Sequence, residues 1–344
     1  MKAYLLFGAE DLRAVDLPEP VAGPGEVVIA MRRAGICGSD MHYYSHGRIG
    51  SFVPKRPFVM GHEFAGEIVA AGPGVPVSRI GNRVTVDPSM PCGHCAFCRG
   101  GRYNLCLNMR FYGSASCDPH INGGFEEFVL APAVNCLTVP DAMSWAEAAM
   151  IEPLSVATHA VRRAGNVAGL AVLVTGGGTI GQLTALVARA FGAATVVVSD
   201  IAAGPRQIAR NSGADATLDA LSTRFEADAD AVVPGGFDVV IEAAGSAQAL
   251  AQALPVVRRG GTIVQVGTLP AAVTLPLNML MARELTLVGS FRFANVFQTA
   301  IDLVASGRVD LTPFVTSVFA LDDLQAAMDM ALGKTGSIKV QVSA

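Results

Sequence analysis

Cys37, His62 and Glu63 are the first residues of this chain whose types and spacing invite chemistry; they lie in the stretch GICGSDMHYYSHGRIGSFVPKRPFVMGHEFAG, Gly35 to Gly66. A thiolate, an imidazole and a carboxylate together suit zinc, a borderline-soft ion that takes S, N and O donors. Three protein ligands leave a fourth position open, the arrangement of a catalytic rather than a structural zinc. Glu152, in MIEPLSV, is a second carboxylate able to serve as ligand or near neighbour. One Cys and one His so far apart are, taken alone, more often unrelated core residues. Gly35, Gly38 and Gly61 change that balance, because they let backbone pack tightly around each donor. Ser39 and His42 are candidate proton carriers, and Asp40 is expected to serve the backbone turn or to orient His62.

Cys92, Cys95, Cys98 and Cys106 follow a C-x2-C-x2-C-x7-C spacing in PCGHCAFCRGGRYNLC. Four thiolates on one short loop make a closed tetrahedral site, which is structural zinc chemistry. A redox pair is the rival for any CxxC, but three cysteines at this spacing with a fourth beyond them favour the metal. His94 then faces solvent. Cys117 and Cys136 are left over. MKAYLLFGAEDLRAVDL lacks the apolar core and cleavage site of a secretory signal, so reduced thiols in a cytoplasm are expected.

The third constellation is GLAVLVTGGGTIGQLTALVARAFGAATVVVSD. Val172 to Val174 read as a strand, and Gly176, Gly178 and Gly181 spell G-x-G-x-x-G around Thr179 and Ile180. Leu183 to Phe191 read as a helix, and Val196 to Val198 as a second strand ending at Asp200, 19 residues after Gly181. The first glycine allows a tight turn, the second admits a pyrophosphate, and the third lets helix and strand pack closely. The helix N-terminus favours the phosphates. Asp200 argues for NAD over NADP, because a carboxylate accepts from a ribose 2′-hydroxyl and repels a 2′-phosphate. Arg206 either reaches the adenosine end or is a solvated helix-face residue.

Elements must position these groups. Residues 1–90 read as short alternating strands broken by Gly and Pro rather than as helix. A helix is expected from Trp145 after the Asp141 to Ser144 cap region. From about residue 152 the composition shifts. FDVVIEAAG, GGTIVQVGT and ELTLVGSF alternate with helical segments, which implies a parallel, doubly wound sheet. The uncharged run between Arg163 and Arg189 holds six glycines, three of them consecutive, so strand, turn and buried helix explain it better than a membrane span. A net charge of −4 offers no electrostatic footprint for nucleic acid.

Gly61-His62-Glu63, Gly66 and Gly72 resemble the zinc signature of the medium-chain alcohol and polyol dehydrogenases, and HYYSHGRIGSFVPKRPFVMGHE is similar to their sorbitol and L-idonate 5-dehydrogenase branch. The resemblance spans essentially the whole chain. It implies an α/β protein with a GroES-like β-barrel catalytic domain at 1–151 and 290–344, carrying a zinc lobe at 91–107, and a Rossmann NAD-binding domain at 152–289. It implies that Ala243, Val266, Gly267 and Thr268 face the nicotinamide, and that the chain forms a homodimer or homotetramer. Asn82 and Thr179 depart from the Asp and Pro usual in the family.

For substrate, the resemblance implies a small polyol or aldonate walled by Tyr43, Phe52, Tyr112, Arg292 and Phe293. Tyr112 as a core aromatic and Arg292 as an interdomain ion-pair residue are the plain alternatives. GSFRF at Gly289 to Phe293 looks like the idonate dehydrogenases. Arg292 can meet a carboxylate bidentately, and Phe293 lacks a hydroxyl for a neutral polyol. The expected reaction is L-idonate to 5-keto-D-gluconate, with sorbitol or xylitol oxidation second. A non-catalytic dinucleotide binder is the alternative of another class, and the open metal site with its proton carriers argues against it.

Overall fold

In the strand Glu26–Gly35 the residues Val27, Ile29, Met31 and Ala34 are buried. That strand is the spine of the first of two units into which the chain divides, Met1–Glu152 with Asp310–Ala344, and Pro153–Val309. The computed structural model describes residues 1–333 and 337–344. In the first unit, Glu26–Gly35 pairs antiparallel with Glu63–Ala71, with Phe128–Pro132 and, near its end, with Lys339–Ser343. Strands Arg83–Val86, Cys136–Thr138 and Val315–Ala320 complete a seven-stranded sheet, and Lys2–Gly8 centres a three-stranded one. Tyr43, Phe58, Phe64 and Phe125 fill the space these sheets enclose and are almost fully buried. This is the expected barrel.

Residues 1–90 are not all strand. Gly38–His46 is an α-helix. It starts because Asp40 Oδ2 accepts the Cys37 backbone N–H at 2.9 Å, taking up a donor the helix cannot satisfy itself. It stops at Gly47, whose φ of +67° suits a left-handed cap. The expected helix Trp145–Ala149 is present, and its cap is reciprocal. Ser144 Oγ accepts from Glu147 N at 3.2 Å, and Glu147 Oε2 accepts from Ser144 N at 2.8 Å.

The second unit holds six parallel strands in the spatial order Ala216–Asp219, Thr195–Asp200, Ala171–Thr175, Phe237–Glu242, Val257–Gln265, Thr286–Gly289. Numbered along the chain within this unit, that order is 3-2-1-4-5-6, the doubly wound dinucleotide arrangement. Strand order reverses between Ala171–Thr175 and Phe237–Glu242, so the crevice for a ligand opens beyond Thr175 and Glu242. The run between Arg163 and Arg189 resolves into the end of one helix, a strand and the helix Thr179–Ala190. Among the described residues no helix is long and apolar enough to cross a membrane.

Residues 290–309, expected with the barrel, belong to the second unit. Their helix Phe297–Ala305 buries Phe297, Ala300, Ile301, Leu303 and Val304. Arg162 donates to Asn295 O at 2.9 Å and to Thr299 Oγ1 at 3.1 Å, which ties the segment to the helix Ile151–Arg163. Phe237, fully buried in one core cluster with Leu173, Val240, Leu254 and Ile263, is one of its two phenylalanines. Replacing it with Ala should cost about 3–5 kcal/mol through lost transfer energy and cavity formation, read as a lowered urea midpoint for the second unit.

Candidate metal and dinucleotide sites

Ligand atoms of Cys37, His62 and Glu63 lie within 4.8 Å of one another. Cys37 caps the helix Gly38–His46, and His62 and Glu63 stand where the chain enters the strand Glu63–Ala71. The turn before them needs Gly61, whose φ is +90° and whose added Cβ would meet the Phe125 ring at 2.9 Å. Asp40 serves the backbone turn. Its Oδ1 accepts from Gly61 N at 3.2 Å and stands 3.8 Å from His62 Nδ1, while Oδ2 holds Cys37 N. One buried carboxylate thus fixes the backbone of two metal donors.

The electrostatics call for a cation. Burial pushes the Cys37 thiol up to about 12, and the neighbouring carboxylates of Glu63 and Asp40 push the same way, against Lys339 and a hydrogen bond from Ser39. Burial likewise raises Glu152 well above the usual carboxylate range, with Glu63 and Cys37 adding to it and His62 opposing. Asp40 is raised by burial too. His62 Nδ1 is buried without a hydrogen-bond partner. A set of S, N and O donors, crowded with negative charge and holding an orphaned ring nitrogen, fits zinc.

Lys339 is the residue that sequence reasoning missed. Its Nζ donates to Glu63 Oε1 at 2.8 Å, to Glu63 Oε2 at 2.7 Å and to Ile36 O at 3.0 Å, so all three hydrogens are used. The two side chains are 3% and 1% exposed. Burial would lower the Lys339 pKa, and Glu63 and Cys37 reverse that, leaving it raised and the ammonium charged. Both Glu63 oxygens therefore carry a cationic partner, whereas Glu152, 5% exposed in the first turn of Ile151–Arg163, forms no ion pair among the described residues and feels His62 and Lys339 through their charge. The available signal was a lysine beside Val340 and Val342 in the strand Lys339–Ser343, since a lysine buried there requires an anion.

The four cysteines of the lobe also converge within 4.8 Å. Cys95 Sγ lies 3.5 Å from Cys98 Sγ, and Cys92 Sγ lies 4.0 Å from Cys98 Sγ. A tetrahedron with Zn–S of about 2.3 Å has edges of about 3.8 Å. Backbone N–H groups of His94 and Cys95 pull Cys92 down to about 6, while desolvation and the neighbouring sulfurs push Cys98 up to about 12, a split that a dication removes. Cys92 and Asn108 backbone N–H groups donate to Cys106 Sγ at 3.2 and 3.4 Å. His94 is exposed, its Nδ1 2.7 Å from Cys92 O.

In the second unit Gly176 has φ +89°, Gly178 caps the helix Thr179–Ala190, and a Cβ at Gly181 would fall 1.7 Å from Gly176 O. Thr179 and Ile180 open that helix. Asp200 Oδ2 accepts from Gly177 N at 2.7 Å and Oδ1 from Ala202 N at 2.8 Å, so the acid is joined to the glycine turn. Arg206 is not a solvated helix-face residue. It donates to Asp200 O at 2.7 Å and to Asp219 Oδ2 at 3.0 Å, binding the ends of two strands. Gln182, another residue missed, donates to Gly177 O at 2.9 Å and Pro205 O at 2.8 Å and holds the turn against the next loop. Ala243 follows the strand Phe237–Glu242 at the point of order reversal, and Val266, Gly267 and Thr268 follow its neighbour Val257–Gln265.

The expected substrate wall is corrected at three positions. Tyr43 is 1% exposed and its hydroxyl accepts from Ala115 N at 3.0 Å. Tyr112 is 3% exposed, donates to Leu130 O at 2.9 Å and sets its ring edge on Phe64, so the core reading holds for it. Both are barrel aromatics whose polar tips are already satisfied. Phe293 is fully buried in the second unit, 5.5 Å from the Phe297 ring. Phe52, 36% exposed, and Arg292, half-buried at φ +50° with its guanidinium 5.1 Å from the Phe291 ring, keep accessible surface. Ser39 is half-buried against Cys37, and His42 is exposed beside His46, with ring centroids 5.7 Å apart.

A barrel with a thiolate–imidazole–carboxylate cluster, a four-cysteine lobe and a 3-2-1-4-5-6 sheet define a zinc-dependent, dinucleotide-linked dehydrogenase. Residues 23–141 match the alcohol dehydrogenase GroES-like domain, and residues 179–306 match the zinc-binding dehydrogenase domain. The chain belongs to the zinc-dependent medium-chain alcohol and polyol dehydrogenases. It is similar to the sorbitol dehydrogenase of Bacillus subtilis strain 168, with 37% identity covering 99% of this chain and 97% of that one. The crystal structure of L-idonate 5-dehydrogenase from Escherichia coli K-12 superposes with a TM-score of 0.91 at 32% identity, covering 100% and 98% of the two chains. A short chain alcohol dehydrogenase from Escherichia coli CFT073, complexed with NADH, gives 0.92 at 29% identity over 100% and 99%.

The matched family is a zinc-binding dehydrogenase, and Cys37, His62 and Glu63 are placed for its catalytic zinc. Metal analysis should find two zinc ions per chain, and Cys98→Ser should leave about one. In the metal-stripped protein Lys339→Met should lower stability by about 3–5 kcal/mol, because it leaves a buried carboxylate unpaired. Adding Glu63→Gln should recover most of that loss, measured as a double-mutant cycle in urea.

Proposed function

We propose that this dehydrogenase oxidises a secondary alcohol of a polyhydroxylated acid, L-idonate, to the 5-keto acid with NAD as acceptor. Membership of the alcohol and polyol dehydrogenases carries the reaction class. The observation that favours an aldonate is Arg292, a guanidinium with accessible surface held in a left-handed turn, because a planar fork of donors matches a carboxylate. Phe293 lends no support, since it is buried. Sorbitol or xylitol is the second reading, favoured by the similarity to a sorbitol dehydrogenase.

Zinc would be held by Cys37 and His62 with Glu63 or Glu152, and when bound it supplies Lewis-acid polarisation of the substrate oxygen. Bound NAD would supply the hydride acceptor. The chain's own groups handle the proton. Ser39, hydrogen-bonded at Cys37, receives the hydroxyl proton of the substrate, and His42, exposed on the same helix, releases it to water. Glu152 is the alternative acceptor, a buried carboxyl whose raised pKa suits proton exchange. Asp40 positions His62 and the Cys37 backbone. Asp200 takes the adenosine ribose through its carboxylate, and the N-terminus of Thr179–Ala190 takes the pyrophosphate. Ala243 and Val266 to Thr268 border the nicotinamide.

The working protein is a homodimer or homotetramer in a reducing cytoplasm. Support comes from the strand Thr286–Gly289, which ends its sheet, with Leu277, Met281, Leu287 and Phe291 exposed nearby in the chain. Light scattering of the zinc-loaded protein reads the state directly, and a monomer rejects it.

Initial rates with L-idonate, sorbitol and xylitol decide the substrate. A preference for L-idonate of about tenfold or more in kcat/KM, about 1.4 kcal/mol of transition-state binding, is expected. Arg292→Lys should raise KM for L-idonate and leave sorbitol oxidation little changed. An unchanged KM sinks the carboxylate contact, and a preference for the neutral polyols sinks the aldonate reading.

A further inference from the structure

Glu242, the last residue of the strand Phe237–Glu242, is fully buried. Its backbone carbonyl accepts from Val266 N at 2.9 Å and Gly267 N at 3.0 Å. Its Oε1 accepts from Ser246 N at 3.4 Å, and Oε2 is buried without a hydrogen-bond partner of its own. Burial raises its pKa, and the backbone N–H groups of Ser246, Gly245, Ala244 and Gly267 pull the other way. Four backbone N–H groups therefore favour the charged carboxylate, and that of Ser246 comes within hydrogen-bond distance.

The space around it is closed. A Cβ added at Gly267 would lie 2.2 Å from Gly245 N and 2.7 Å from Glu242 Oε2. Gly245 has φ +65°, and a Cβ there would lie 2.8 Å from Thr268 O. Two loops, 243–246 and 266–268, thus meet backbone to backbone with the carboxylate between them, beyond the ends of the neighbouring strands Phe237–Glu242 and Val257–Gln265. Only an acceptor fits such a place. An amide would turn donors toward donors, and an apolar group would leave buried N–H groups unmet.

We infer that Glu242 is the positioning residue for the nicotinamide end of the dinucleotide, clamping loop 243–246 to loop 266–268 so that the backbone bordering the ring is one rigid piece. This rests on the assignment of those loops to the nicotinamide above. The acid does not touch the reacting atoms. It acts by holding peptide groups where the cofactor needs them, as supporting shells do.

ADP-ribose, which lacks the nicotinamide, separates this role from general stability. Dissociation constants for NADH and ADP-ribose are measured on the zinc-loaded protein, on Glu242→Gln and on Glu242→Asp, with melting temperatures alongside. The expected result is about tenfold or greater weakening of NADH in Glu242→Gln, with ADP-ribose changed by less than about twofold. Glu242→Asp keeps an acceptor-only side chain and should lie between, and it carries the test if the Gln variant does not fold. Equal losses for both ligands, or none for either, overturn the inference for Glu242 while leaving the loop assignment standing. Wild-type protein that binds NADH no more tightly than ADP-ribose overturns the loop assignment, and the inference with it.

Discussion

A surplus of buried acidic groups over bases is the constraint on which the first unit depends. Cys37, Asp40, Glu63 and Glu152 gather around one imidazole and one ammonium. Hydrophobic burial alone would expel such a set, since each ion loses its hydration. Three devices keep it in place. Lys339 spends all its hydrogens on Glu63 and Ile36, Asp40 is tied to two backbone N–H groups, and the remaining imbalance calls for a dication. The barrel aromatics around Phe64 and Phe125 exclude water, which strengthens every one of these interactions.

The second unit solves a different problem by a different route. Its glycines bring backbone within reach of backbone, and buried polar side chains then fix the result. Gln182 and Arg206 secure the glycine turn and the strand end beside it, and the backbone carbonyl of Glu242 takes the N–H groups of Val266 and Gly267. Binding surfaces made of peptide groups have no rotamers to lose, so a small number of well-placed supporting side chains is enough.

Much of this was legible in the sequence because it depends on local order. The G-x-G-x-x-G turn, the four cysteines on one loop and the Ser144 cap are each set by spacing within one segment. What was not legible depends on distant partners or on the second neighbour. Lys339 meets Glu63 across 276 positions of chain, and nothing near either residue announces the other. Tyr43, Tyr112 and Phe293 have the right types for a substrate wall, but type does not say which way a ring points. The helix Gly38–His46 escaped because its cap is a cysteine, an unusual residue for that place. The domain limit slipped by twenty residues because the helix after Gly289 has an apolar face that either unit could have covered.

Connectivity gives the metal centre a place in time as well as in space. Residues 153–309 form an uninterrupted unit, whereas the barrel is split between the start and the end of the chain. As the chain emerges during synthesis, the nucleotide-binding half has all its strands before the other half has received the strand Lys339–Ser343. Until that strand slots beside Glu26–Gly35, Glu63 has no ammonium opposite it. The cluster of Cys37, His62 and Glu63 therefore gains its balancing ammonium only once the strand Lys339–Ser343 has been made.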